Sequence, residues 1–136
     1  MRYDYRHYTF NSIFRLDDYS KSITLVENSL EPNQLIRANQ LIQHTNDNID
    51  QILYMLSESS ENWAISRIGK SERSALILGI SELLLGLTPF KVIISEWTKI
   101  VDKHSSSEGA RFVNAILDNI STVSYTHLTL PTILLV

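Results

Sequence analysis

The sequence predicts an all-α single domain of six or seven helices, and three observations carry that reading. Only three prolines and four glycines punctuate 136 residues. Apolar residues recur at three- and four-residue spacing over long stretches, the period of a helix with one face turned inward. The few breakers and small polar residues also fall where helices should start and stop.

Taken in order, a first helix is expected over residues 5–19, with Phe10, Ile13, Phe14 and Leu16 facing inward. A shorter one over residues 20–28 is built around Ile23, Leu25 and Val26. Pro32 suits the first position of a long helix reaching about Ser57, because its missing N–H would be unpaired there anyway. That helix carries Leu35, Ile36, Leu41, Ile42, Ile49, Ile52, Leu53 and Leu56 as its stripe. The polar run 57–61 reads as a solvated loop. Ser71 is the expected N-cap of the next helix, which is apolar on much of its surface and so belongs at the centre of a bundle. Gly86 closes it. Thr88 and Pro89 then read as a cap and a first-turn proline. They open a helix with Phe90, Ile93, Ile94, Trp97, Ile100 and Val101 on one face. Ser105 and Glu108 have capping-box spacing, and the last helix should bury Phe112, Val113, Ile116, Leu117 and Ile120.

The final stretch stands apart. Residues 122–136 read TVSYTHLTLPTILLV and resemble a translated sequencing adapter. The expected folding unit is therefore 1–121, with 122–136 a non-native tail excluded from fold reasoning. About 120 residues suit one domain with one core. A hydrophobic content of 43% and a charged content of 20% match a globular protein.

The formal net charge of −3 does not announce a nucleic-acid binder. Affinity for RNA rests on Lys and Arg neutralising phosphates, so any RNA site must be a local patch. The absence of cysteine excludes disulfides and thiolate metal sites and fits the reducing cytoplasm. No stretch approaches the roughly 18 unbroken apolar residues of a membrane helix, and no secretory signal is expected.

Catalytic chemistry has little to stand on. His7, His44, His104 and His127 form no ligand pair at helical spacing, so no metal site or cofactor is expected. The pairs Asp17 with Asp18 and Asp47 with Asp50 read as solvated surface. No phosphate loop, nucleophile elbow or Ser/His/Asp order stands out. The polar region of interest is the N-terminus, MRYDYRHYTFNSIFR. There Arg2 and Arg6 could contact phosphates while Tyr3 and Tyr5 stack on unpaired bases. The plainer reading of the same residues is an amphipathic helix whose arginines snorkel and whose tyrosines lie on the core.

Four motifs in order cover about half the chain. They are Arg67-Ile68 ahead of an apolar helix, a Leu-x-x-x-Glu-Leu run ending at Leu83, a Pro-aromatic-Lys-Val turn, and the block from Arg111 to Asp118. In that order and spacing the chain resembles the NusB family of bacterial transcription antitermination factors. The resemblance implies a NusB-like bundle of two packed helical groups. It also implies binding of boxA-type RNA together with the ribosomal protein NusE, within the transcription elongation complex and without chemistry of its own. RNA contacts would fall on the N-terminal arm (Arg2, Arg6, Tyr3 and Tyr5) and near the turn between the last two helices (Lys103 and Arg111, with Lys99 beside them). The arginine run is thinned here, since Asp4 separates Arg2 from Arg6.

The resemblance places Phe14 and Glu72 at partner-contact positions. Phe14 equally reads as core, Glu72 as a residue favouring its helix N-terminus, and Arg111 as a surface charge. Trp63, Arg67 and Asn114 match as structural positions. A homodimer stays open. Two other functions stay open as well: the RNA-binding accessory domain of a truncated rRNA cytosine methyltransferase, and a helical protein-interaction domain with no RNA role.

Overall fold

The computed structural model describes residues 4–14, 30–60 and 69–135, with side chains at 13–14 and 123–135 outside the description. Six helices follow one another: α1 Tyr5–Phe14, α2 Pro32–Asp47, α3 Ile49–Ser59, α4 Lys70–Leu85, α5 Phe90–His104 and α6 Ser107–Leu135. No strand occurs among the described residues. The helix expected over 20–28, and Arg67 and Ile68 ahead of α4, lie outside the described residues.

The helix that is apolar nearly all round is the spine, as its sequence required. α4 packs against each of the other five helices, and Ala75, Leu76, Leu78 and Ile80 are buried on it. On one side it holds α1 and α2, and on the other α5 and α6 form the most extensive helix pair. Gly79 lets the second group close up: a Cβ there would lie 3.0 Å from a Leu117 methyl and 3.5 Å from the Trp97 ring.

Several expected boundaries shift, each for a local reason. The single helix expected from Pro32 breaks at Asn48, whose N–H donates to the His44 and Thr45 carbonyls while its Nδ2 donates to the His44 carbonyl at 2.9 Å. Short polar side chains that bond the backbone compete with the helix ladder. The run 57–61 is no solvated loop in its described part: Ser57 and Ser59 belong to α3, and Ser60 is buried with its hydroxyl on the Leu56 carbonyl. Gly69, not Ser71, is the N-cap of α4, and Ser71 is buried in the first turn. Gly86 does close α4, with φ +74 in the left-handed region that glycine tolerates. Pro89 flanks α5 just outside it, so Phe90 is the first helical residue. Ser106, not Ser105, caps α6, its hydroxyl accepting the Gly109 N–H at 2.9 Å. Ile36 is 68% exposed, off the expected stripe.

Candidate nucleic-acid interface

The N-terminal cluster is organised by the glutamate of the Leu-x-x-x-Glu-Leu run, to which the sequence reading gave no role of its own. Glu82, on the spine helix, is only 2% exposed. Its carboxylate accepts four hydrogen bonds from three side chains. Tyr5 Oη donates at 2.5 Å, Arg6 Nε and Nη2 donate at 3.0 and 2.8 Å, and Trp97 Nε1 donates at 2.9 Å. Those donors come from α1 and α5, so one carboxylate ties three helices together. A buried charge is tolerated only when paired and saturated in this way. Burial works against the Arg6 charge, but Glu82 outweighs it and holds the guanidinium's pKa above its ordinary value. Burial first, then the bond to Glu82, pushes the Tyr5 phenol well above its usual range.

The resemblance placed Tyr5 and Arg6 among the RNA contacts, and the structure turns both inward. Both are buried, and the Arg6 guanidinium also stands 4.6 Å from the Tyr5 ring centre. A group saturated by a buried partner has no surface left for a phosphate or a base. Asp4, which interrupts the arginines, has a use of its own. Its Oδ1 accepts the Arg6 and His7 N–H groups at 3.1 and 3.3 Å and lies 2.9 Å from His7 Nδ1. That makes it the N-cap of α1. Burial raises its carboxyl, but hydrogen bonds from the His7 side chain and backbone outweigh this and leave its pKa below the ordinary value. An aspartate immediately before a helical run was the signal that could have shown the cap.

A second guanidinium lies on the outer side of Tyr5. Arg37, half-buried on α2, stands 4.2 Å from that ring centre. Its Nη2 donates to Tyr5 Oη at 3.1 Å and to Thr88 Oγ1 at 3.2 Å. Thr88 was expected to cap α5 and holds Arg37 instead. Nothing in the sequence marks Arg37, because its partners lie 32 and 51 residues away.

The other basic group surrounds the turn from α5 to α6. Lys99, Lys103 and Arg111 are all exposed. Lys99 reaches Glu96 at 3.5 Å, whereas Lys103 and Arg111 have no ion pair among the described residues. Beneath this turn sits Glu72, buried, accepting the Ser105 hydroxyl at 2.5 Å. Its carboxylate fills the space beside Gly69 and Gly109, where any Cβ would collide with it. Glu72, given as a partner contact by the resemblance, is thus a brace between α4 and the start of α6. Asn114 is exposed on α6, away from any helix crossing. Phe14 ends α1 with its side chain outside the description, and Arg2, Tyr3, Trp63 and Arg67 lie outside the described residues.

Among the described residues no group of three His, Asp or Glu side chains could hold a metal ion, and no helix is long and apolar enough to cross a membrane.

Comparison with known proteins bears on this arrangement. The model of the NusB family matches residues 4–122. The chain is 35% identical over 91 residues to the transcription antitermination protein NusB of Thermodesulfovibrio yellowstonii, a match covering 66% of this chain and 60% of that protein. Against the transcription antitermination protein NusB of Syntrophotalea carbinolica the identity is 33% over 116 residues, covering 83% of this chain and 74% of the relative. In a crystal structure of the antitermination factors NusB and NusE in complex with dsRNA, one chain matches with a TM-score of 0.74. The identity is 22%, and the match covers 88% of this chain and 94% of that one. That likeness bears on the fold alone, and it agrees with the all-α bundle.

Proposed function

Since this chain belongs to the NusB family, we propose that it is a transcription antitermination factor that binds boxA-type RNA together with NusE in the elongation complex. The family match over residues 4–122 carries the reading. A chain of the same fold stands in an assembly of NusB, NusE and dsRNA, the two kinds of partner this reading gives the present chain. The role is binding without bond making, so it needs no cofactor, and its place is the bacterial cytoplasm. The relatives reported above carry the antitermination name, which favours the free-standing factor over an accessory domain of an rRNA methyltransferase.

On this reading Arg2 and Tyr3 reach RNA from the arm, and Lys103 and Arg111 from the exposed corner. Tyr5 and Arg6 hold the arm's root. Phe14 and Glu72 belong to the NusE side, Glu72 acting through the packing it braces. The test is a titration of the chain with boxA-like and scrambled RNA, with and without NusE, across a salt series. Tighter binding of the boxA-like RNA when NusE is present is the expected result. No RNA binding at low salt with NusE present would overturn it.

A further inference from the structure

We propose that Arg37 is a backbone contact for RNA, a fixed guanidinium that meets a phosphodiester beside the N-terminal arm. The inference rests on the RNA-binding reading above. Two guanidiniums flank Tyr5, and their situations are opposite. Arg6 is buried and spent on Glu82. Arg37 is half-buried, and among the described residues no carboxylate comes within ion-pair distance of it.

Its geometry is that of a presented group. Nη2 is used up by Tyr5 Oη and Thr88 Oγ1, and the Tyr5 ring supports the guanidinium. Those contacts come from α1 and from the turn before α5, so the side chain is held from two elements besides its own. The remaining donors, Nε–H and Nη1, have no partner among the described residues. Arg37 lines an opening with Tyr5, Gln40, Leu87 and Thr88, and with Glu82, whose carboxylate is taken up by Tyr5, Arg6 and Trp97. A guanidinium offers its N–H groups in a rigid fork suited to two oxygens of one phosphate, and fixing it beforehand lowers the entropy cost of each bond. Exposed apolar side chains flank Thr88, Leu87 before it at 62% and Phe90 at the start of α5 at 46%.

The place is right for RNA arriving on the arm. Arg2 precedes Tyr5 by three residues, so their Cα atoms lie within about 11 Å of each other whatever the arm's conformation. Gln34, three residues before Arg37 on α2, accepts the Tyr5 N–H at 3.0 Å. The arm's root and Arg37 therefore share one surface. Arg37 offers the charge that the thinned arginine run no longer supplies there.

The experiment compares the parent chain with Arg37→Gln, each with NusE, binding boxA-like and scrambled RNA over a salt series. Hydrogen exchange of α1 is followed in the free proteins. Loss of one phosphate contact should weaken both RNAs by the same factor and make the slope of log K against log salt shallower by about 0.7. Arg37→Lys should keep most of that slope, and α1 should exchange as in the parent. An unchanged affinity and slope in Arg37→Gln overturns the assignment. So does a weaker affinity at unchanged slope with faster exchange in α1, which would make Arg37 a tie between helices only. Both of those results leave the family reading standing. A parent that binds no RNA overturns the reading and this contact together.

Discussion

The residue that decides most is Glu82, because everything around it depends on its charge. Removing one partner of a buried, saturated pair leaves the other uncompensated, which costs about 3–5 kcal/mol. Glu82→Ala is therefore expected to lose about that much in urea denaturation, since Arg6 is left buried without its anion. Tyr5 adds a pH dependence whose sign follows from its surroundings. Its phenol is held neutral above the ordinary 10.0 by burial and by Glu82. The unfolded chain gives up this proton near pH 10 while the folded chain keeps it. Stability from this group is thus complete below pH 10 and is lost progressively as pH rises above it. The parent should lose more stability between pH 9 and pH 11 than Tyr5→Phe does, measured by urea midpoints, and equal losses would refute the assignment. The sequence left Tyr5 and Arg6 between RNA and core because an Arg/Tyr pattern suits both. The partner that settles it lies 76 and 77 residues away.

At the scale of elements, the sequence is most legible where one residue has one physical use. Gly86 is such a case: it closes α4 in the left-handed region, its N–H on the Glu82 carbonyl. Gly86→Ala should cost about 1 kcal/mol in thermal or urea unfolding. Where small polar residues compete, boundaries slipped. Ser105 and Ser106 both offer a hydroxyl to the start of α6, and only tertiary packing on Glu72 takes Ser105 away from capping. Asn48 broke a helix whose apolar stripe continues on either side. The phase of α6 was legible, with Val113, Ile116, Leu117 and Ile120 buried, but Phe112 only flanks that stripe. Phe112→Ala should accordingly cost roughly half of the 3–5 kcal/mol of a fully buried ring. The backbone of α6 continues into the adapter-like stretch. If that stretch is foreign, deleting 122–136 leaves the melting temperature unchanged or raised. A loss beyond about 1 kcal/mol, the size of an ordinary single-site effect, would contradict it.

For the whole molecule, the family was legible because three of its four motifs lie on α4, α6 and the start of α5, the helices that make the largest mutual contacts. The site was less so, since it is assembled from α1, α2 and the turn before α5, far apart in the chain. This division has a consequence for binding. α1 carries the arm, and it is joined to the spine by the Glu82 cluster and to α2 by side chains such as Gln34. A helix of 10 residues is marginal alone, so its order depends on that docking. In native-state hydrogen exchange α1 should open at lower free energy than α4 to α6, and Glu82→Gln should lower it further while the other helices keep their protection. If docking positions the arm, the apparent Kd rises as the docked fraction falls. A variant docked about one-tenth of the time then binds RNA about tenfold more weakly. It still makes the same phosphate contacts when bound, so its salt slope should match the parent's, unlike that of Arg37→Gln. Tighter binding with a steeper slope in Glu82→Gln would mean instead that the released Arg6 has become a phosphate contact, and that the docked helix restrains RNA binding.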